Sequence, residues 1–377
     1  MTNRHYKRLG EFIREVNVRN RDEKVTNLLG LSIEKKFIPS IANTIGTDMS
    51  TYKIVCPMQF AYVPVTSRNG DKITIALFKG VEPAIISQAY TVFEIENQNE
   101  FLPEYLMMWF RRSEFDRYAR FHSHGSAREV FDWDEMCNVY LPIPDIDEQR
   151  KIVAEYHAIE QRIENNNRLI KALEDTAQAI YHHTFVENID PENLPEGWRI
   201  DFLYNIGKFT NGLACQNFTE CGNGYIPVLK IRELNQGFAD DTSDRVDDSF
   251  PKSHIIEYGD LIFAWSATLL VKYWASDTIA LNQHLFKVTS EDYPQWFLYF
   301  GIKQHIAAWR NLISAKATSM GHIKIEDLQH AAVYIPNNEQ LETVDKKISP
   351  LMDMMVLTNK ENLKLLKTKN LLLSKLS

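Results

Sequence analysis

Several groups in this sequence have the residue types of a reactive site, and most lack the partners that chemistry would require. Pro144-Asp145 followed by Glu148 and Lys151 has the make-up of a metal-dependent nuclease motif. It opens a helix, however, whereas metal-ligating carboxylates must converge on one point. His122 with His124, and His182-His183, have no Cys or carboxylate at ligand spacing, and Cys215 with Cys221 has no second pair. The acidic run Asp240, Asp241, Asp244, Asp247, Asp248 lacks the glycine and terminal glutamate of an EF-hand loop and reads as a solvated loop. There is no GxxxxGK phosphate loop, GxSxG elbow or HExxH helix, and Gly222-Asn223-Gly224 is not a GxGxxG fingerprint. The expectation is a chain with no catalytic centre and no metal of its own.

Polar side chains beside aromatic strands point to a different chemistry. Arg or Lys can read guanine O6 and N7, and Asn or Gln can read adenine N6 and N7, provided a fixed scaffold presents them. Candidates in the first half are Ser67, Arg68, Asn69, Lys72, Gln88 and Arg128. In the second half they are Lys230, Arg232, Asn235, Ser266, Thr268, Lys272, Gln283, His284 and Lys316. Each has an ordinary structural alternative; Gln88 and Gln283, at matched places next to apolar strands, could be buried hydrogen-bonding groups. Tyr62, Trp109 and Trp265 read as core.

The scaffold is duplicated. From Asp145 to Phe185, Ile152, Ile159, Leu173 and Ile180 alternate with Tyr156, Ile163, Ile170 and Ala177 in the spacing of a heptad seam, and Asn166 takes one core position. A buried Asn there fixes register and predicts one particular partner helix. That partner is the related stretch 337–377, with Val344, Ile348, Leu351, Met355, Leu365 and Leu372 on its seam, Asn359 and Asn362 in its middle, and Pro350 expected to kink it. Glu148-Gln149 after Ile143-Pro144 matches Glu339-Gln340 after Ile335-Pro336. The segments before each helix also correspond. Ser87-Gln88-Ala89 matches Asn282-Gln283-His284, Pro103-Glu104-Tyr105-Leu106 matches Pro294-Gln295-Trp296-Phe297, and Phe131, Trp133 and Met136 match Ile323, Ile325 and Leu328. The expected fold is α+β: mixed domains over 1–144 and 191–336, separated by helices over 145–190 and 337–377 paired as an antiparallel coiled coil.

At 377 residues the chain can bury more than one core. No apolar run reaches the ~18 residues of a membrane span, the opening MTNRHYKRLGEF lacks a signal peptide's apolar core, and the four cysteines are sparse, which predicts a cytoplasmic protein. Charge is not that of a phosphate-neutralising protein. Residues 1–144 have 18 basic against 18 acidic side chains, 145–190 have 5 against 10, 191–336 have 12 against 17, and 337–377 have 7 against 5.

The chain resembles the DNA-specificity subunits of type I restriction-modification systems. The resemblance is carried by Leu194-Pro195-Glu196-Gly197-Trp198, Ile226 to Asn235, Gly259 to Ser266, Leu281 to Phe286, and Ile143-Pro144 leading to Glu148-Gln149. It implies two target-recognition domains that each read half of a split, asymmetric sequence on double-stranded DNA. The helices would serve as a ruler, about 57 Å for roughly 38 residues, and as the docking site for two adenine-methyltransferase subunits. Restriction and translocase subunits would join them. S-adenosylmethionine, ATP and Mg would reside on those partners, not on this chain. A protein-interaction scaffold without DNA specificity is the alternative that the acidic balance would suit. One departure is that Cys56-Pro57-Met58 stands where the second half has Tyr258-Gly259-Asp260, leaving the geometry of that loop open.

Overall fold

The computed structural model describes residues 6–40, 46–67, 70–125, 128–187, 189–218, 225–266, 268–315 and 322–377. It divides into two compact units, Met1–Gln161 with Lys367–Ser377, and Arg162–Leu366. The divisions fall inside two long helices, Ile146–Phe185 and Asn338–Ser374.

In the first unit, Ile13–Val16, Thr91–Ile95, Phe60–Tyr62 and Ile75–Leu77 form an antiparallel sheet in that order. Lys53–Val55 pairs with Ala84–Ile86 beside it. Every residue of the inner strand Phe60–Tyr62 and of the end strand Ile75–Leu77 is buried, which explains their continuous apolar runs. One face carries helices Pro103–Phe110 and Ser113–Phe121, and Phe60, Phe93, Phe110, Phe115 and Phe131 form the aromatic core between them. The end strands Tyr6–Arg8 and Tyr140–Pro142 pair with each other, so the chain enters and leaves the domain at one place.

The second unit repeats this plan. Its sheet runs Lys208–Asn211, Leu285–Thr289, Leu261–Ala264, Leu270–Tyr273, and Arg199–Phe202 closes on Ala332–Ile335. A single helix, Gln295–Ala315, replaces the two of the first unit. Of the matched residues, Phe131 and Met136 and their counterparts Ile323 and Leu328 are buried, whereas Trp133 is half-buried and its counterpart Ile325 is exposed.

The loop left open by the sequence is the most closely duplicated part. Gln59 N–H donates to Cys56 O (3.1 Å) and Gln59 Oε1 accepts from Cys56 N–H (2.8 Å). In the second unit Asp260 N–H donates to Glu257 O (3.1 Å) and Asp260 Oδ2 accepts from Glu257 N–H (2.8 Å). Met58 at φ 66° stands where Gly259 stands at φ 90°, and both donate to the facing strand, at Phe78 O and Trp274 O. Both are turns with a left-handed third residue, Pro57 supplying its fixed φ in the first. The true alignment is therefore Pro57-Met58-Gln59 with Tyr258-Gly259-Asp260, one residue from the register read in the sequence. The glutamine and the aspartate do the same work, closing the turn through a side-chain oxygen.

Each unit contains a length of antiparallel helix pair. In the first, Lys369 Nζ donates to Glu160 Oε1 (3.0 Å), and Leu373 and Leu376 enter the core with Tyr156. In the second, Arg162 pairs with Glu361 (2.9 Å) and Asn166 Nδ2 donates to Asn362 Oδ1 (3.0 Å). Asn362 in turn donates to Asn167 Oδ1 (2.9 Å). Asn166 and Asn362 are 3% and 7% exposed, so the predicted polar layer exists and its partner is Asn362.

The seam differs from the heptad reading toward its ends. Tyr156 and Asn166 are buried, whereas Ile152, Ile159, Ile163, Ile170, Leu173 and Ile180 are half-buried. Val153, Tyr181 and Phe185 are buried in their place because the helix ends pack on the domains: Tyr181 and Phe185 contact Trp296 and Phe297. In the second helix Val344, Ile348 and Met355 are buried and Leu351, Leu365 and Leu372 half-buried; Met352 and Val356 complete its inner face. The helix is continuous through Pro350. The repeated glutamine anchors each helix start. Gln149, fully buried, donates to Glu100 O and Pro144 O and accepts from Leu102 N–H, and Gln340 accepts from Trp198 Nε1–H.

Candidate nucleic-acid interface

In the first unit the strand-to-strand loop after Phe60–Tyr62 is stitched to the loop that follows the second helix. Val65 bridges Val130, Thr66 Oγ1 donates to Ser123 Oγ (2.9 Å), and Arg120 Nη1 donates to Gly70 O (3.1 Å). Gly125 sits at φ 136° with the Arg128 carbonyl where a Cβ would stand, so this loop needs glycine there. Ser67, Lys72 and Arg128 are exposed on these loops, Lys72 3.5 Å from Glu34. Gln88 is exposed in the turn after Ala84–Ile86, not buried. Arg68 and Asn69 lie outside the described residues, as does Lys316 in the second unit.

The second unit gathers four of its candidates in one cleft. Lys230, Arg232, Gln283 and His284, with Gln216, Asp244, Arg245 and Asn282, surround about 670 Å³. Strand Ile226–Leu229 runs parallel to Ile279–Leu281, which places the residues after each, Lys230 and Asn282 to His284, at the same edge. Gly212 makes the close approach possible, since a Cβ there would lie 2.2 Å from Asn282 O. Trp265 lies against His284 and His322, and Ser266 bridges His322, so the loop after Leu261–Ala264 adjoins the cleft. Thr268 is exposed nearby. Asn235 is exposed on helix Ile231–Gln236, while Lys272 is half-buried and donates to the helix-end carbonyls of Leu234 and Asn235 (both 3.2 Å). Burial lowers the affinity of its amine for the proton.

The acidic run is not merely solvated. Asp244 pairs with Lys230, and Asp240 accepts from Arg232 (3.1 Å) and from Thr242 at both N–H (2.9 Å) and hydroxyl (2.6 Å). Those donors, Thr242's hydroxyl foremost, hold the Asp240 carboxyl down at about 2. Buried Glu233 accepts from Lys230 N–H, Arg232 and Ser243. The cleft therefore carries its own counter-charges. Gln216, Arg245 and Asn282 were not singled out in the sequence: Arg245 was hidden in the acidic run, and Asn282 adjoined residues that were.

Among the described residues no group of His, Cys, Asp and Glu is placed to hold a metal, and no helix is long and apolar enough to cross a membrane. The arrangement can present hydrogen-bonding and cationic groups to a polar ligand along strand ends and loops.

Comparison with known proteins places the chain. Residues 195–368 match the model of the type I restriction modification DNA specificity domain. The chain is 25% identical over 300 residues to the specificity subunit of the type I restriction enzyme MjaIX of Methanocaldococcus jannaschii, covering 72% of this chain and 68% of that one. It is 20% identical over 368 residues to the HindI specificity subunit of Haemophilus influenzae, covering 78% and 80%. The crystal structure of a type I S subunit from M. genitalium shares the fold, with a TM-score of 0.58 at 13% identity over 100% of this chain and 97% of that one. Residues 195–368 thus resemble the type I restriction modification DNA specificity domain, and the chain as a whole is similar to type I specificity subunits.

Proposed function

We propose that this chain is the DNA-recognition subunit of a type I restriction-modification complex and performs no catalysis itself. Each domain reads one half of a split, asymmetric target on double-stranded DNA. The paired helices dock two adenine-methyltransferase subunits, and restriction and translocase subunits join that assembly in the cytoplasm. S-adenosylmethionine, ATP and Mg act on those partners. The observation that carries this reading is the duplication: two units of one plan, each with polar loops and each containing its own length of antiparallel helix pair.

Charge refines it. The second domain is net acidic, and Lys230 and Arg232 are already paired with carboxylates. Phosphate neutralisation then falls largely to the partners, and the isolated chain binds DNA weakly and with strong salt dependence. The test is selection from a random duplex pool by the chain co-purified with its neighbouring methyltransferase. Enrichment of a two-part motif is expected. A soluble, associated complex that enriches no sequence would overturn the proposal and favour the interaction-scaffold reading.

A further inference from the structure

Phe121, the last residue of helix Ser113–Phe121, is 80% exposed. His122 meets it edge-on at 5.2 Å and is itself stacked on Tyr118 at 4.3 Å, while its Nδ1 lies 3.0 Å from Glu135. An apolar ring left in water forgoes about 25 cal/mol per Å² of burial.

Its setting is polar. Arg117, four residues earlier on the same helical face, is largely exposed, and Arg120 clamps the loop at Gly70 that carries Ser67 and Lys72. Exposed Arg128 follows on the adjoining loop. Arg117 is paired with Glu114 (3.8 Å) and Arg120 with Glu129 (3.3 Å), so the charges around the ring are balanced. A protein partner seeks a contiguous apolar patch, whereas one isolated ring beside the loops of Ser67, Lys72 and Arg128 fits the apolar face of a stacked base.

We infer that Phe121 is a wedge that inserts between base pairs at one step of the half-site read by the first domain. Apolar side chains used in this way from the minor groove unstack the step and kink the duplex toward its major groove. The inference rests on the DNA-recognition reading and adds a residue that makes recognition depend on how easily one step opens.

The test uses the complex assembled with its methyltransferase and a duplex bearing the mapped target, with a fluorescent adenine analogue placed in turn along both half-sites. The wild-type complex should brighten the analogue at one step of the first half-site. Phe121→Ala should abolish that signal and weaken binding about 5- to 100-fold, with assembly and discrimination at the second half-site unchanged. Phe121→Leu should restore part of both. Wild-type-like signal and affinity in Phe121→Ala would overturn the wedge while leaving DNA recognition intact, and so would loss of assembly, which would make Phe121 a protein contact. Absence of sequence-specific binding by the wild-type complex would overturn both readings.

Discussion

The Asn166–Asn362 layer allows a closed thermodynamic test of what fixes the helix pair. Both amides are buried and bonded to each other at 3.0 Å, and Asn362 also donates to exposed Asn167. Asn166→Leu leaves the Asn362 oxygen facing an apolar side chain, and Asn362→Leu leaves the Asn166 amine without its acceptor. Either orphan costs about 1–3 kcal/mol. The double Leu variant removes both polar groups and substitutes apolar contact, so its stability should lie within about 1 kcal/mol of wild type or exceed it. The cycle thus predicts a coupling of about 2 kcal/mol or more between two residues 196 apart in sequence. Urea unfolding followed by tryptophan fluorescence suits the measurement, because Trp198, Trp265, Trp274, Trp296 and Trp309 lie in the unit that holds the layer. Additive single effects, with the double variant destabilised by their sum, would refute the reasoning. A stable double variant should also show the loss of specificity that a purely apolar seam brings: mixed oligomers by light scattering where wild type gives one species.

Other predictions concern the surface and the pH response. Leu169→Asp with Leu357→Asp, both on exposed helix positions, should each leave the unfolding free energy within about 0.5 kcal/mol of wild type yet together abolish co-purification with the methyltransferase; retained assembly contradicts helix docking. These are better probes than Ile159 and Ile163, whose half-burial means that charge there would disturb the helix as well. Asp244→Asn releases Lys230, so affinity for target duplex at low salt should rise and the logarithmic salt dependence steepen by about 0.9; an unchanged slope in a salt titration would place Lys230 away from phosphate. Burial pushes the Tyr156 hydroxyl up to about 12, although Arg111 opposes the shift. Tyr156 stays neutral in both states below pH 10, and above it only the unfolded chain ionises there, so this side chain alone should lower stability by about 1.4 kcal/mol per pH unit from 10 to 12, beside the contributions of buried Tyr62, Tyr181, Tyr273 and Tyr299. Tyr156→Phe should reduce the slope of that limb by the same amount, and an unaltered slope would refute the assignment.

The long helices, the duplication and the polar layer were legible because they rest on periodic or repeated local signals: heptad spacing around Asn166, and matched segments a near-constant distance apart. Tyr181 and Phe185 were not legible as core, since a heptad pattern describes a helix facing one neighbour, and this helix changes neighbours along its length. The turn at Cys56–Gln59 was misaligned by one residue because its geometry lies in backbone and side-chain hydrogen bonds that Gln and Asp satisfy equally. The recognition surface was legible only in part. Gln283 and His284 followed from their place after an apolar strand, but the pairing of Lys230 with Asp244 and the inward turn of Lys272 depend on contacts made across the fold.

The central claim is tested most directly by mapping N6-methyladenine across the genome of cells expressing the neighbouring methyltransferase with this chain and without it. The account predicts a split motif methylated only when the chain is present. Identical methylation in both, with the two proteins shown to be soluble and associated, would contradict it.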